Sequence, residues 1–206
     1  MRTGLLLCLT LLFVAQYSQK AAGQANQDAS SAQTPTYTSD GRLIFPANYR
    51  DWVYLTSGVD MSYSPNAMDM GHSTFDNVFV NPSSYKTFLQ TGTWPDKTML
   101  VLEARVAGSK ASINKNGHYQ TSEVMGREIH VKDESRFSGK WAFFGFDSDS
   151  PSKQVPKEAA CYSCHEQHAA VDTTFVQFYP TLIELATKKG TLSPNYLKDE
   201  AANAKK

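Results

Sequence analysis

Four stretches of the chain carry the alternation or the paired apolar faces of β-strands, and they set the architecture. Residues 75–80 alternate and are rich in aromatic and β-branched side chains, which predicts a strand. Residues 98–106 give the clearest one. Their first half is apolar on both faces, as in a strand covered on both sides, while Glu103 and Arg105 share a face toward the end and are expected as a solvated cross-strand set. Residues 124–131 predict a third strand and residues 141–146, heavily aromatic, a fourth. Gly145 inside this last strand predicts close approach by a flat ligand or another backbone. Alternation places Trp141, Phe143 and Gly145 on one face, so Phe143 is a candidate cofactor contact.

Helical spacing appears between and after these strands. Asn81 suits an N-cap, Pro82 the first turn, Tyr85, Phe88 and Leu89 make an apolar stripe, and Gly92 stops the helix. Tyr49, Trp52 and Val53 predict a short helix running into a strand. Residues 57–74 read as a long polar loop, and a second loop covers 147–157. From Glu158 or Ala159 the chain turns helical, with His165 and His168 one turn apart on one face. Residues 173–189 are amphipathic, interrupted by Pro180 and ended by Gly190, and residues 201–206 read as a frayed tail. The expected class is α+β: a mostly antiparallel β-sheet with a few packed helices, the C-terminal helices carrying the motif described below.

The N-terminus changes the compartment. Arg2, an apolar run over 5–15 and the small residues Ala21, Ala22, Gly23 and Ala25 predict a signal peptide over residues 1–25, since the run falls short of the roughly 20 residues that span a bilayer. A periplasmic or secreted protein follows, with no membrane attachment after cleavage. Residues 26–40 have the composition of a flexible leader, 41–190 form the domain and 191–206 a tail. With 206 residues, 41% hydrophobic and 19% charged, the chain supports one domain with a real core. Lys+Arg and Asp+Glu balance at 20 each, so no basic field points to nucleic acid or to an anionic membrane.

Cys8 lies in the apolar leader, which leaves Cys161 and Cys164 as the cysteines of the mature chain. They stand in the run CYSCH over 161–165. A redox dithiol or half a zinc site would use the same pair, but zinc wants a second ligand pair at regular spacing, and a dithiol site has no need of a histidine directly after it. Two thiols three positions apart each add across one vinyl group of a haem, and the following histidine lies beneath the iron. Haem c, one per chain, is therefore expected on Cys161 and Cys164, with His165 as axial iron ligand. Met61, Met68, Met70 and His72 in the polar loop are candidates for a sixth ligand, and His168, one turn from His165, for a surface or propionate contact.

Beyond this motif, the runs NYRDWV (48–53), VNPSSY (80–85), VKD (131–133), the pair Arg136 and Phe137, WAF (141–143) and FVQFYP (175–180) resemble the cytochrome P-460 family, which includes the cytochromes c′-beta. The resemblance covers about Gly41 to Leu185. It implies a mostly antiparallel β domain, usually a homodimer, whose five-coordinate haem is open on its distal face to small nitrogen species. One branch oxidises hydroxylamine and the other binds nitric oxide. The oxidising branch carries a lysine, one residue before a glutamate, cross-linked to the haem edge. Setting Glu103 on that glutamate puts Leu102 at the lysine position, so the resemblance implies ligand binding over oxidation, with Leu102 and Phe143 in the haem pocket and Lys97 and Lys110 out of register for a cross-link. Nitric oxide or a related small ligand is the expected partner, with a redox partner protein beside it. Two alternatives stand: a hydroxylamine-oxidising enzyme, for which the strands offer no distal acid or base and Glu158 or its loop would have to fold over, and a six-coordinate electron carrier using a methionine.

Overall fold

The computed structural model describes residues 34–63 and 71–204. Five strands, β1 (Val53–Val59), β2 (Thr74–Val80), β3 (Met99–Gly108), β4 (Tyr119–Lys132) and β5 (Trp141–Phe146), form one antiparallel sheet in the order β1-β2-β3-β4-β5. Helix α1 (Pro82–Thr91) links β2 to β3, and α2 (Ala160–His168), α3 (Ile183–Lys189) and α4 (Pro194–Asn203) follow the sheet. The class is α+β, as the alternation predicts. A 3-10 turn over Tyr49–Asp51 runs into β1, the short helix and strand that the spacing there suggested, while within 173–189 only a 3-10 turn, Val176–Phe178, precedes Pro180, which removes a backbone donor, and helix resumes at Ile183.

Alternation sends successive side chains of each strand to opposite faces, and both faces are covered. On one, Val78, Val80, Leu100 and Trp141 pack against Phe88 and Trp94, and against Val176, Leu182 and Ala186 of the C-terminal segments. On the other, Met99, Val101, Ile129, Phe144 and Phe146 pack against Leu43, Phe45, Tyr49 and Trp52. Trp94 and Phe88 lie with ring centroids 4.2 Å apart, both almost completely buried, and each contributes about 2–3 kcal/mol relative to exposure. Trp94 Nε1 donates to Thr174 Oγ1 at 2.8 Å, which ties the α1–β3 connection to the C-terminal segment.

The α1 stop behaves as its glycine requires. Gly92 is left-handed at φ 77°, and a Cβ there would come within 2.8 Å of Lys189 Cβ, so the helix end and α3 approach closely only around a bare residue. Asn81 holds the N-cap position, but its side chain serves β3: Oδ1 accepts from Met99 N at 2.9 Å.

Several expectations are corrected. Glu103 is not solvated; it is 2% exposed and bound by Tyr49, Arg50 and Arg105, because the face it shares with Val101 is roofed by the N-terminal segment. β1 runs on through Val59, where the polar composition suggested loop. Within the leader, Tyr37 bridges to Leu43 and donates to Asp133 at 3.2 Å. The tail contains helix α4, started by Ser193, whose side chain accepts from Tyr196 N, and by Pro194 at its first position. The signal segment, Met68 and Met70 lie outside the described residues.

Candidate haem site

Helix α2 carries the CYSCH run, and residues within and around that run fix it to the sheet. Tyr162, between the two cysteines, donates from its hydroxyl to Val155 O at 3.0 Å and accepts from Phe143 N at 3.2 Å. The helix is thereby tied to the outer edge of β5. Gln177 closes its far end, accepting from Ala170 N and donating to His168 O. On its other side α4 docks: Ser193 Oγ donates to Ala169 O at 2.6 Å, Asn195 donates to Glu166 O at 3.2 Å, and His168 pairs with Asp199. His168 is thus an exposed link between α2 and α4, and does not line the cavity into which His165 faces.

Between α2 and the 3-10 turn at 176–178 the chain doubles back. Asp172, left-handed at φ 53°, closes a turn whose ends Val171 and Thr174 bridge each other. This brings the carbonyl of Thr173 to 2.7 Å from His165 Nδ1. A carbonyl only accepts, so Nδ1 carries the proton and Nε2 is the nitrogen left for a metal. Burial lowers the His165 pKa, against the opposing pull of the Thr173 hydrogen bond, and so favours the neutral ring that a ligand requires. Phe175 flanks the imidazole at 4.2 Å and Phe143 meets it edge-on at 4.7 Å.

The cavity next to His165 has the sheet as one wall. Val78, Leu102 and Glu128 are direct cross-strand neighbours on β2, β3 and β4, so Leu102 sits mid-wall between an apolar side chain and an acidic one. His130 and Phe143, likewise opposite each other on β4 and β5, stack at 3.9 Å with planes 13° apart. The other wall is formed by Phe175, Phe178 and Tyr179, with Met61 and Tyr63 also lining the cavity. Leu102, Phe143 and His165 thus come together around one space, while Cys161 and Cys164 stand on the helix that carries His165.

Three polar wall residues escaped the sequence reading. Asp76 and Glu128 line the cavity, where only apolar side chains were expected; burial, then Glu128 and Asp60, raise the Asp76 pKa. His130 is 7% exposed, and burial followed by the neighbouring His165 depresses its pKa well below the usual value. The available signal was alternation in β4: with Ile129 and Val131 on the covered face, Glu128 and His130 must share the opposite one. Among the other candidates, Met61 lines the cavity, His72 and Glu158 are exposed and do not, and Lys97 is engaged by Asp133.

These residues fit a covalent haem. Gly126 and Gly145 have open space where a Cβ would stand, which leaves the sheet bare around Glu128 on the face that Phe143 shares. The groove, its open mouth included, holds about 890 Å³ of free space. Its apolar lining and open mouth would admit a planar macrocycle. Two thiols and an oriented imidazole on one helix are the donors such a group would use. Compared with curated proteins, the chain finds no significant match. A family model described as Cytochrome P460 matches residues 46–176, well over half of the chain, and the protein belongs to this family of haem c cytochromes.

Proposed function

We propose that this cytochrome holds its haem through Cys161 and Cys164, uses His165 Nε2 as the axial iron ligand, and binds nitric oxide or a related small nitrogen-oxide ligand in the groove. The observation that carries the reading is the commitment of His165 Nδ1 to Thr173, which orients one imidazole nitrogen for iron, and Leu102, set by the family resemblance at the position of the cross-linking lysine, lines the same groove. A haem iron with one protein ligand supplies an open coordination position. The chain's own residues do the rest. Phe143 and Phe175 hold the imidazole plane, and Leu102, Val78 and Leu100 keep water from the wall facing the bound ligand. Export to the periplasm and homodimer formation belong to the same reading, on the leader composition and the family resemblance, and cell fractionation and sedimentation test them.

Absorption spectra of the purified haem-loaded protein decide the central point. A high-spin resting iron that takes up nitric oxide is expected; a low-spin iron at rest, with Met61 as the sixth ligand, overturns it.

A second reading is favoured by Asp76 and Glu128 on the cavity wall, which supply the acid or base that hydroxylamine oxidation needs. Burial, then the neighbouring Glu128 and Asp60, raises the Asp76 pKa, which favours its protonated form. Turnover of hydroxylamine with an artificial electron acceptor tests it, and none at saturating substrate rejects it.

A further inference from the structure

We propose that the buried His130 and the half-buried Thr173 form a support that sets the orientation and basicity of the His165 imidazole; this rests on the reading of His165 as iron ligand. Three observations converge. His130 Nε2 lies 3.3 Å from Thr173 Oγ1, and the carbonyl of the same threonine accepts the His165 Nδ1 proton at 2.7 Å. The two imidazoles also meet directly, edge to face, with centroids 5.2 Å apart and planes at 79°. His130 itself cannot swing, because Phe143 stacks on it at 3.9 Å and Trp141 packs at 4.5 Å.

The consequence is a chain of constraint from the sheet to the metal ligand. A strand is the most rigid element available, and β4 presents His130 from within its paired region, opposite Leu100 on one side and Phe143 on the other. Thr173, by contrast, sits in a tight turn held by backbone contacts between Val171 and Thr174. The His130 contact ties that turn to the sheet, and so fixes where the Thr173 carbonyl points. A well-aligned acceptor draws the Nδ1 proton and makes the opposite nitrogen a stronger donor to iron. His130 is a positioning residue: it acts on the iron through Thr173 and through the pose of His165.

The test compares His130→Phe, which keeps an aromatic ring against Phe143, with Thr173→Val, which keeps the shape and the carbonyl but loses the hydroxyl, both as haem-loaded proteins. Resonance Raman of the ferrous protein reads the iron–histidine stretch, voltammetry the reduction potential, and absorption the share of nitrosyl complex that has lost its histidine. Expected are a lower stretching frequency, a higher potential and a larger five-coordinate nitrosyl share in both variants. The double variant should move no further than either single one, and Thr173→Ser should restore the wild-type values. Unchanged stretch and potential in folded variants would overturn the support role and leave His130 as a packing residue. Should His130→Phe fail to fold, the Thr173→Val and Thr173→Ser pair decides alone. A His165→Ala control separates the two ideas: if it leaves the axial ligation signature of the wild type intact, the ligand assignment fails and the support falls with it.

Discussion

Tyr162 accepts the backbone N–H of Phe143 at 3.2 Å while donating to Val155 O at 3.0 Å, so the first of the two residues between the cysteines fastens the motif helix to an edge strand of the sheet. The spacer of the Cys-X-X-Cys-His run thus does structural work that any two residues would not do. Replacing Tyr162 by Phe should cost about 1–2 kcal/mol, since a buried backbone donor and a carbonyl lose their partner together. Denaturant unfolding reads the loss, and a cost near zero would mean that α2 is held by its α4 contacts alone.

On the proposed attachment, each cysteine supplies one of two links. Cys161→Ser and Cys164→Ser should each retain haem through one link under denaturing electrophoresis, and the double variant should release it. Haem staining and intact mass check this, and a stained band in the double variant would place the attachment elsewhere.

The ionic cluster under β3 gives the largest expected stability effect. Glu103 is held by Arg105 at 2.5 Å and by Arg50 and Tyr49, and Glu103→Gln leaves two guanidinium groups short of their counter-charge. A loss of about 2–4 kcal/mol is expected, tempered by the half-exposed Arg50. Thermal or denaturant unfolding measures it, and a change below about 0.5 kcal/mol would show that the arginines find water instead.

Stability against pH separates two carboxylate environments. Burial opposes ionisation of Glu103 and Asp133, but hydrogen bonds from Arg105, Tyr49 and Arg50 to the first, and from Lys97, Ser135 and Tyr37 to the second, win and depress both pKa values. Their stabilisation is complete above the ordinary carboxylate value, about 4, and is lost as pH falls through the depressed values. Asp76 has the opposite sign. Its pKa is raised, so its contribution is favourable when protonated at low pH and is lost as pH rises through the raised value. Asp76→Asn should therefore stabilise the protein at neutral pH, by about 1 kcal/mol or less, with the gain shrinking in acid. Equal gains at pH 7 and pH 3.5 would contradict the assignment.

How much of this was legible in the sequence follows from the range of each signal. Strand positions, α1 with its Gly92 stop, and the motif helix are local patterns, and each reappears in the structure. Glu103 misled because alternation says which face a side chain takes, not what covers that face; its roof comes from Tyr49 and Arg50, more than 50 residues away. Asp76 and Glu128 were hidden for the same reason, as wall positions are defined by register between strands. Helix α4 has weak apolar content, and its place depends on tertiary bonds from Ser193, Asn195 and Asp199 to α2. Thr173 could not be foreseen at all, since its carbonyl reaches His165 only through the left-handed turn at Asp172.

Leu102 and Glu103 are adjacent on β3, one facing the groove and the other the ionic cluster. A slip of β3 by one residue would exchange them, bringing Glu103 and Arg105 to the groove and leaving Arg50 against a leucine. The cluster therefore penalises mispairing with charge as well as with packing. It acts as a keyed joint: the chemistry on one face of the sheet is held in place by an electrostatic match on the other, and the groove's composition is guarded by residues that never touch it.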